Sequence, residues 1–198
     1  MMYRNAIKRL MDFSVSAFAM PILVPLIAAV AIGIKLDDGG PIFHRGERMG
    51  KDGRIFRMFK FRSMKVNSPD LRNADGSTFN GDTDPRVTRI GKILRKTSID
   101  EIPQLINVLL GDMSLIGPRP SLTTTPYSQY NDIRKKRVSV RPGVTGYSQA
   151  YFRNSITQEE KFKYDCDYVD NITFTGDVKI LKRTILSVLK RDNIYVKQ

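Results

Sequence analysis

A chain of 198 residues, 41% hydrophobic and 27% charged, is long enough for one domain with a real core and does not have a disordered composition. Thirty-three Lys+Arg against twenty Asp+Glu leave a net charge of +13, which calls for an anionic partner: nucleic acid, a phosphorylated substrate or an acidic membrane surface. The single cysteine, Cys166, excludes an internal disulfide framework, and the single histidine, His44, argues against a histidine metal site or a Ser-His-Asp triad.

From Phe13 to Ile34 no residue is charged, a run long enough to cross a bilayer. It is too long for the apolar region of a signal peptide and carries Pro21 and Pro25 in its middle. Arg4, Lys8 and Arg9 precede it; Lys35, Arg45, Arg48 and Lys51 follow. Basic flanks favour the cytoplasmic side, and here both flanks are basic. A spanning helix would leave one of them outside, whereas a re-entrant helix broken at the prolines keeps both inside.

Residues 41–48 and 54–64 read as strands joined by a Lys51-Asp52-Gly53 turn. In the second strand Phe59 and Phe61 would share one face, leaving Lys60 and Arg62 on the other, either aimed at a common site or on a solvated edge. Residues 66–85 form a polar loop that includes Asp82-Thr83-Asp84, a pattern some nucleotide-sugar glycosyltransferases use to hold a metal. Residues 87–95 read as a short basic amphipathic helix, with Ile90, Ile93 and Leu94 on one side. A helix from about Thr97 to Leu110 stops at Gly111-Asp112. Thr157-x-x-Glu160 opens a helix to about Val169, and Leu181, Ile185, Val188 and Leu189 define a last one ending in Lys190-Arg191.

The informative pair is Asp100-Glu101. Ser98-x-x-Glu101 matches a capping box, so Glu101 has a purely structural reading. Both acids also stand at a helix N-terminus, where the dipole favours their ionised forms, and an ionised carboxylate is what a nucleophile or a Mg²⁺ ligand must be.

The text around that pair, Arg95-Lys-Thr-Ser-Ile-Asp-Glu-Ile-Pro-Gln-Leu-Ile-Asn-Val-Leu-Leu-Gly-Asp-Met-Ser-Leu-Ile-Gly-Pro-Arg-Pro120, resembles the signature of the bacterial sugar transferases, the monotopic phosphoglycosyl transferases. The resemblance extends in order to Lys8-Arg-Leu-Met-Asp12, Phe59-Lys-Phe-Arg-Ser-Met64, Val140-Arg-Pro-Gly-Val-Thr-Gly146, Arg153-Asn154 and Gly176-Asp-Val-Lys-Ile180. It implies an α+β, mostly helical fold, with a membrane-embedded re-entrant helix over 1–36, one continuous cytoplasmic catalytic unit over 37–198 and interfacial amphipathic helices. It implies transfer of a phosphosugar from a UDP-sugar to a polyprenyl phosphate at the cytoplasmic face of the bacterial inner membrane. Asp100 would be the nucleophile, with Glu101 beside it and Mg²⁺ held by Asp100 or Glu101. Lys60, Arg62, Arg95, Arg119, Arg141, Gln149 and Arg153 would bind phosphate and substrate. Asp165 and Asp177 match further acidic positions of the family, each equally readable as a helix cap. Anionic lipid is an implied partner, a homodimer is left open, and nucleic acid is not expected, because no nucleic-acid motif accompanies the charge.

Two departures stand out. The family's Ser-Pro at the membrane-helix kink is Val24-Pro25 here, without the hydroxyl that would satisfy a freed carbonyl. The family's Gln-Val-Asn-Gly-Arg-Asn is Gln149-Ala-Tyr-Phe-Arg-Asn154, which bears on recognition of sugar or nucleotide. The rival readings are a metal-dependent glycosyltransferase built on Asp82-Thr83-Asp84 and a non-catalytic membrane scaffold for glycan assembly.

Overall fold

The computed structural model describes residues 3–71, 79, 81 and 84–190, which form a mostly helical α+β fold. A π-helical turn, Tyr3–Ile7, leads into α1, Lys8–Asp38. The helix continues through Pro21 and Pro25 instead of breaking there. Each proline removes one donor, and the bonds on either side carry the element past it. Gly39 ends α1 in the left-handed conformation, returning its N–H to Lys35. The middle of α1 is bare apolar surface, with Phe18 81% and Ile22 77% exposed. Such a surface requires a lipid or protein cover.

Both ends of α1 are fastened to the same folded body. Near its start, Lys8 pairs with Asp177, Arg9 donates to the Val108 and Leu109 carbonyls, and Asp12 accepts from the Leu115 N–H. Near its end, Val30 and Ile34 pack on Phe61 and Leu94, and Asp37 accepts from the Ile90 N–H.

Strands β1 (Phe43–Met49) and β2 (Ile55–Phe61) form an antiparallel hairpin, turned by Lys51–Gly53. Gly53 has φ +85° under the ring of Tyr127, where a Cβ would sit 2.6 Å from the ring. The faces of β2 depart from the expected alternation, because both are covered. Phe56 and Met58 pack with Val108 and Met113, while Phe61 is fully buried against α1. Buried Asn107 ties the hairpin to the helix beside it, accepting from the Phe59 N–H at 2.8 Å and donating to the Arg57 carbonyl at 2.9 Å. Asn107→Leu would strand both backbone groups. The expected loss is about 1–3 kcal/mol for each group left unpaired, read by thermal unfolding in detergent.

Helices α2 (Arg89–Thr97) and α3 (Gln104–Leu110) follow. Strand β3 (Ser114–Ile116) pairs in parallel with β5 (Gly143–Thr145), and β4 (Ser121–Leu122) adds to the free edge of β1. Helices α4 (Asp132–Arg137), α5 (Tyr147–Tyr151), α6 (Gln158–Asp170) and α7 (Phe174–Lys190) complete the described chain. The Thr157–Glu160 capping box at the start of α6 is present with both of its reciprocal bonds. Arg191, expected at the end of the last helix, lies outside the described residues.

Candidate active site

The segment expected as one helix from Thr97 to Leu110 is divided. Ser98 takes a left-handed φ of 58° and ends α2; Ile99–Glu101 forms a single 3-10 turn; Pro103 then precedes α3. Proline is tolerated there because that position has no intrahelical partner for an N–H. The capping reading of the acid pair does not hold: the Ser98 side chain caps nothing, and the Glu101 carboxylate turns away to two cations.

Asp100 is 3% exposed, and its Oδ2 lies 2.8 Å from Lys60 Nζ. The same ammonium stands 3.3 Å from Glu101 Oε1. Arg119 closes the group with a fork on Glu101, Nη2 to Oε1 at 2.7 Å and Nη1 to Oε2 at 3.4 Å. Burial on its own would raise the Glu101 carboxyl, but Arg119 and Lys60 outweigh it and hold it down at about 2. Glu101 is therefore an anion throughout the neutral range. The pair of acids and pair of bases come from three separated stretches of chain: β2, the 3-10 turn and the Pro118-Arg119-Pro120 turn.

That last turn is brought in by a close backbone approach. The Gly117 N–H donates to the Thr145 carbonyl and the Gly143 N–H to the Pro118 carbonyl. A Cβ on Gly143 would meet Gly117 N at 2.1 Å, so only glycine fits. Beneath the turn lies the buried ion pair of Arg137 and Asp165, Nε to Oδ2 at 2.7 Å. Arg137 was not legible in the sequence, because Arg134-Lys-Lys-Arg137 looks like a solvated charge run. The available signal was helical spacing, which puts Arg134 and Arg137 on one face, and both guanidinium groups lie over the Phe162 ring.

Around the acids opens a cleft of about 1480 Å³. Of the expected substrate-binding residues, Lys60, Arg62, Arg95, Arg119, Gln149 and Arg153 line it. Arg95 donates to the Ser63 hydroxyl at 3.0 Å, and Arg153, with φ 49°, donates to the Ser98 hydroxyl at 3.3 Å. Gln149 presents a buried Oε1 with no hydrogen-bond partner among the described residues. Asp165 forms part of the wall, bound to Arg137 and to the Ser148 hydroxyl.

Three expected residues have their charged groups bound by partners other than the acid pair. Strand β2 ends at Phe61, so Arg62 does not continue the Lys60 face; its guanidinium grips Asp38 at the end of α1 and donates to the Pro41 and Met64 carbonyls. Arg141 donates to the Gly111 carbonyl at the far end of α3. Asp177 accepts from Tyr3, Lys8 and Tyr168, fastening the start of α1. Asp82 and Thr83 lie outside the described residues, while Asp84 is buried in an ion pair with Arg86 at 2.6 Å. That carboxylate is taken, which weakens the Asp-Thr-Asp reading.

Among the described residues no group of three or more His, Cys, Asp or Glu could hold a metal ion. Mg²⁺, a hard cation, takes one or two carboxylates and completes its shell with water and phosphate oxygens; the carboxylates of that kind beside each other in the cleft are Asp100 and Glu101, both paired here with Lys60 or Arg119.

A family profile described as bacterial sugar transferase matches residues 3–191. Galactosyl transferase CpsE of Streptococcus agalactiae is 40% identical over 190 residues, covering 92% of this chain and 42% of CpsE. An Aeromonas hydrophila protein named UDP-N-acetylgalactosamine-undecaprenyl-phosphate N-acetylgalactosaminephosphotransferase is 41% identical over 194 residues, 92% of this chain and 44% of its own. A Bacillus subtilis protein named uncharacterized sugar transferase EpsL is 39% identical over 188 residues, covering 95% of this chain and 90% of EpsL. The chain thus spans less than half the length of the first two relatives and nearly all of the third.

Proposed function

Because the chain belongs to the bacterial sugar transferase family, we propose that it transfers a sugar phosphate from a UDP-sugar to a polyprenyl phosphate. The Aeromonas relative is named for a UDP-sugar donor and an undecaprenyl-phosphate acceptor. The observation that carries the proposal is the buried Asp100 carboxylate, 2.8 Å from Lys60, on the floor of a basic cleft.

In the first half-reaction an Asp100 oxygen attacks the β-phosphorus of the UDP-sugar. The bond from that phosphorus to the bridging oxygen breaks, and UMP leaves with the electron pair. In the second, an oxygen of the polyprenyl phosphate attacks the same phosphorus; the aspartyl–phosphorus bond breaks and a polyprenyl diphosphosugar is released. An anion attacking a diphosphate needs cations to offset repulsion. Lys60 holds Asp100 where it can attack and screens its charge. Arg119, already forked on Glu101, presents a guanidinium at the cleft mouth, where it can follow charge moving onto phosphate oxygens. Mg²⁺ held by Asp100 and Glu101 would add Lewis-acid stabilisation of the diphosphate. Arg95 and Arg153 lie where the nucleotide or its phosphates can reach them.

The test is intact mass after incubation with a panel of UDP-sugars and Mg²⁺ in detergent, without acceptor. With the right donor, the mass should rise by one phosphosugar on the Asp100 peptide as UMP appears. UMP formed only when polyprenyl phosphate is also present would rule out the two-step route.

The membrane part of the proposal is a re-entrant α1 that enters and leaves the cytoplasmic leaflet. A straight helix of its length would reach roughly 45 Å, enough to put its two ends on opposite faces. Yet Lys8 and Asp38 both bind the body that carries the cleft, through Asp177 and Arg62. Both ends on one body support both ends on one face, with anionic lipid meeting the basic surface around them. Asn5→Cys and Lys51→Cys, each in a Cys166→Ser background, should both stay unlabelled by an impermeant thiol reagent until the inner membrane is opened. Labelling at Asn5→Cys alone in spheroplasts means a spanning helix.

A further inference from the structure

Arg137 is only 5% exposed, and its three nitrogens reach three different parts of the site. Nε pairs with Asp165 Oδ2 at 2.7 Å, Nη1 donates to the Ser121 hydroxyl, and Nη2 donates to the main-chain carbonyl of Arg119. Phe162 lies under the guanidinium, 4.6 Å from ring centre to the central carbon, closing off the remaining face. The other oxygen of Asp165 accepts from the Ser148 hydroxyl at 2.7 Å, in the first turn of α5. α5 carries Gln149 and leads into Arg153. One guanidinium therefore ties the turn that carries Arg119 on one wall of the cleft to the helix that leads to Arg153 on the other.

We infer that Arg137 is a positioning residue for the transfer reaction: it fixes the backbone of the Pro118-Arg119-Pro120 turn so that the Arg119 side chain stays forked on Glu101 beside Asp100. The inference rests on the proposed role of Asp100. The Arg119 side chain is 46% exposed, so it has few contacts of its own to hold it. An exposed arginine gives up side-chain entropy to stay in one geometry, and it can do so only from a fixed root. Its neighbouring prolines limit the turn's freedom, and Arg137 supplies the bond that anchors the carbonyl between them. Stability alone is a weak reason for such a pair, since apolar residues of similar volume in place of a buried ion pair are often neutral or stabilising. The three-way fork is the property that apolar packing cannot replace.

That asymmetry sets the experiment. The double variant Arg137→Met/Asp165→Leu removes both charges together and strands neither, so its unfolding temperature should stay close to that of the wild type. Single-turnover UMP release should nonetheless fall by about 10²-fold, the effect of misplacing a group by about an ångström, with kcat lowered more than KM. Arg137→Lys keeps a cation on Asp165 but loses the fork to Arg119 and Ser121. It should fold normally and lose rate in the same direction, and it carries the test if the double variant does not fold. Either variant, folded and with wild-type kcat, overturns the positioning role while leaving Asp100 chemistry standing. Wild-type protein that releases no UMP from any UDP-sugar overturns both.

Discussion

Asp100→Asn should lower UMP release by at least about 10³-fold, the scale on which loss of a covalent nucleophile acts, while the protein extracts and unfolds like the wild type. The substitution is nearly isosteric and keeps an oxygen within reach of Lys60. It does not orphan that ammonium, because Glu101 Oε1 stands 3.3 Å away and remains ionised. The single 3-10 turn that carries Asp100 uses no side-chain cap, so nothing in the local backbone depends on the lost charge. What disappears is the anion proposed to attack phosphorus. The measurement is UMP release with the donor that labels the wild type, together with intact mass. Wild-type UMP release from the asparagine variant would exclude Asp100 as the nucleophile and leave the adduct to be found on another residue.

A large expected effect on stability lies away from the cleft. Asp177→Ala should cost about 3–5 kcal/mol, the usual result of removing one partner from a buried ion pair, which for a chain of this size lowers the unfolding temperature by roughly 6–20 °C. Lys8 and Asp177 are 12% and 5% exposed at their side chains, so the remaining ammonium has little water to turn to. Tyr3 also loses its acceptor, and Tyr168 keeps only the Ile116 carbonyl. Burial, and then the charge of Asp177, push the Tyr168 hydroxyl well above its ordinary range, so it stays a donor at every working pH. Because these bonds fasten the start of α1, limited trypsin digestion in detergent should cleave at Arg9 sooner in the variant. Replacing both partners, Lys8→Met with Asp177→Leu, should recover most of the loss. If Asp177→Ala unfolds like the wild type, the pair does not hold α1 to the body.

The role of Asp177 is one that motif matching and geometry divide differently. The resemblance grouped Asp165 and Asp177 as acids of the site, and both are buried acids with arginine, lysine or hydroxyl partners. Asp165 stands in the cleft wall, paired with Arg137, whereas Asp177 fastens the long apolar helix α1 to the body. Lys60 and Arg62 separate in the same way. Alternation in a strand predicts a shared face, but the strand stops at Phe61, and a carboxylate at Asp38 takes the second cation.

What the sequence alone determined was whatever depends on neighbours a few residues apart. The capping box at Thr157 and Glu160, the helix stop at Gly111, the hairpin turn at Asp52-Gly53 and the uncharged run flanked by basic residues all rest on interactions that close within a turn or a short loop. The order of motifs pointed to Asp100 and Glu101 as well, though their spacing alone left capping open. The tertiary structure decided which charges meet. Glu101 is claimed by Lys60, 41 residues away, and by Arg119, 18 away; Asp177 is claimed by Lys8 across 169 residues. Coulomb attraction and desolvation depend on distance and burial in the folded state, not on separation along the chain. A run such as Arg134 to Arg137 therefore gives no sign of which guanidinium goes inside until Asp165, Ser121 and the Arg119 carbonyl have been brought to one place.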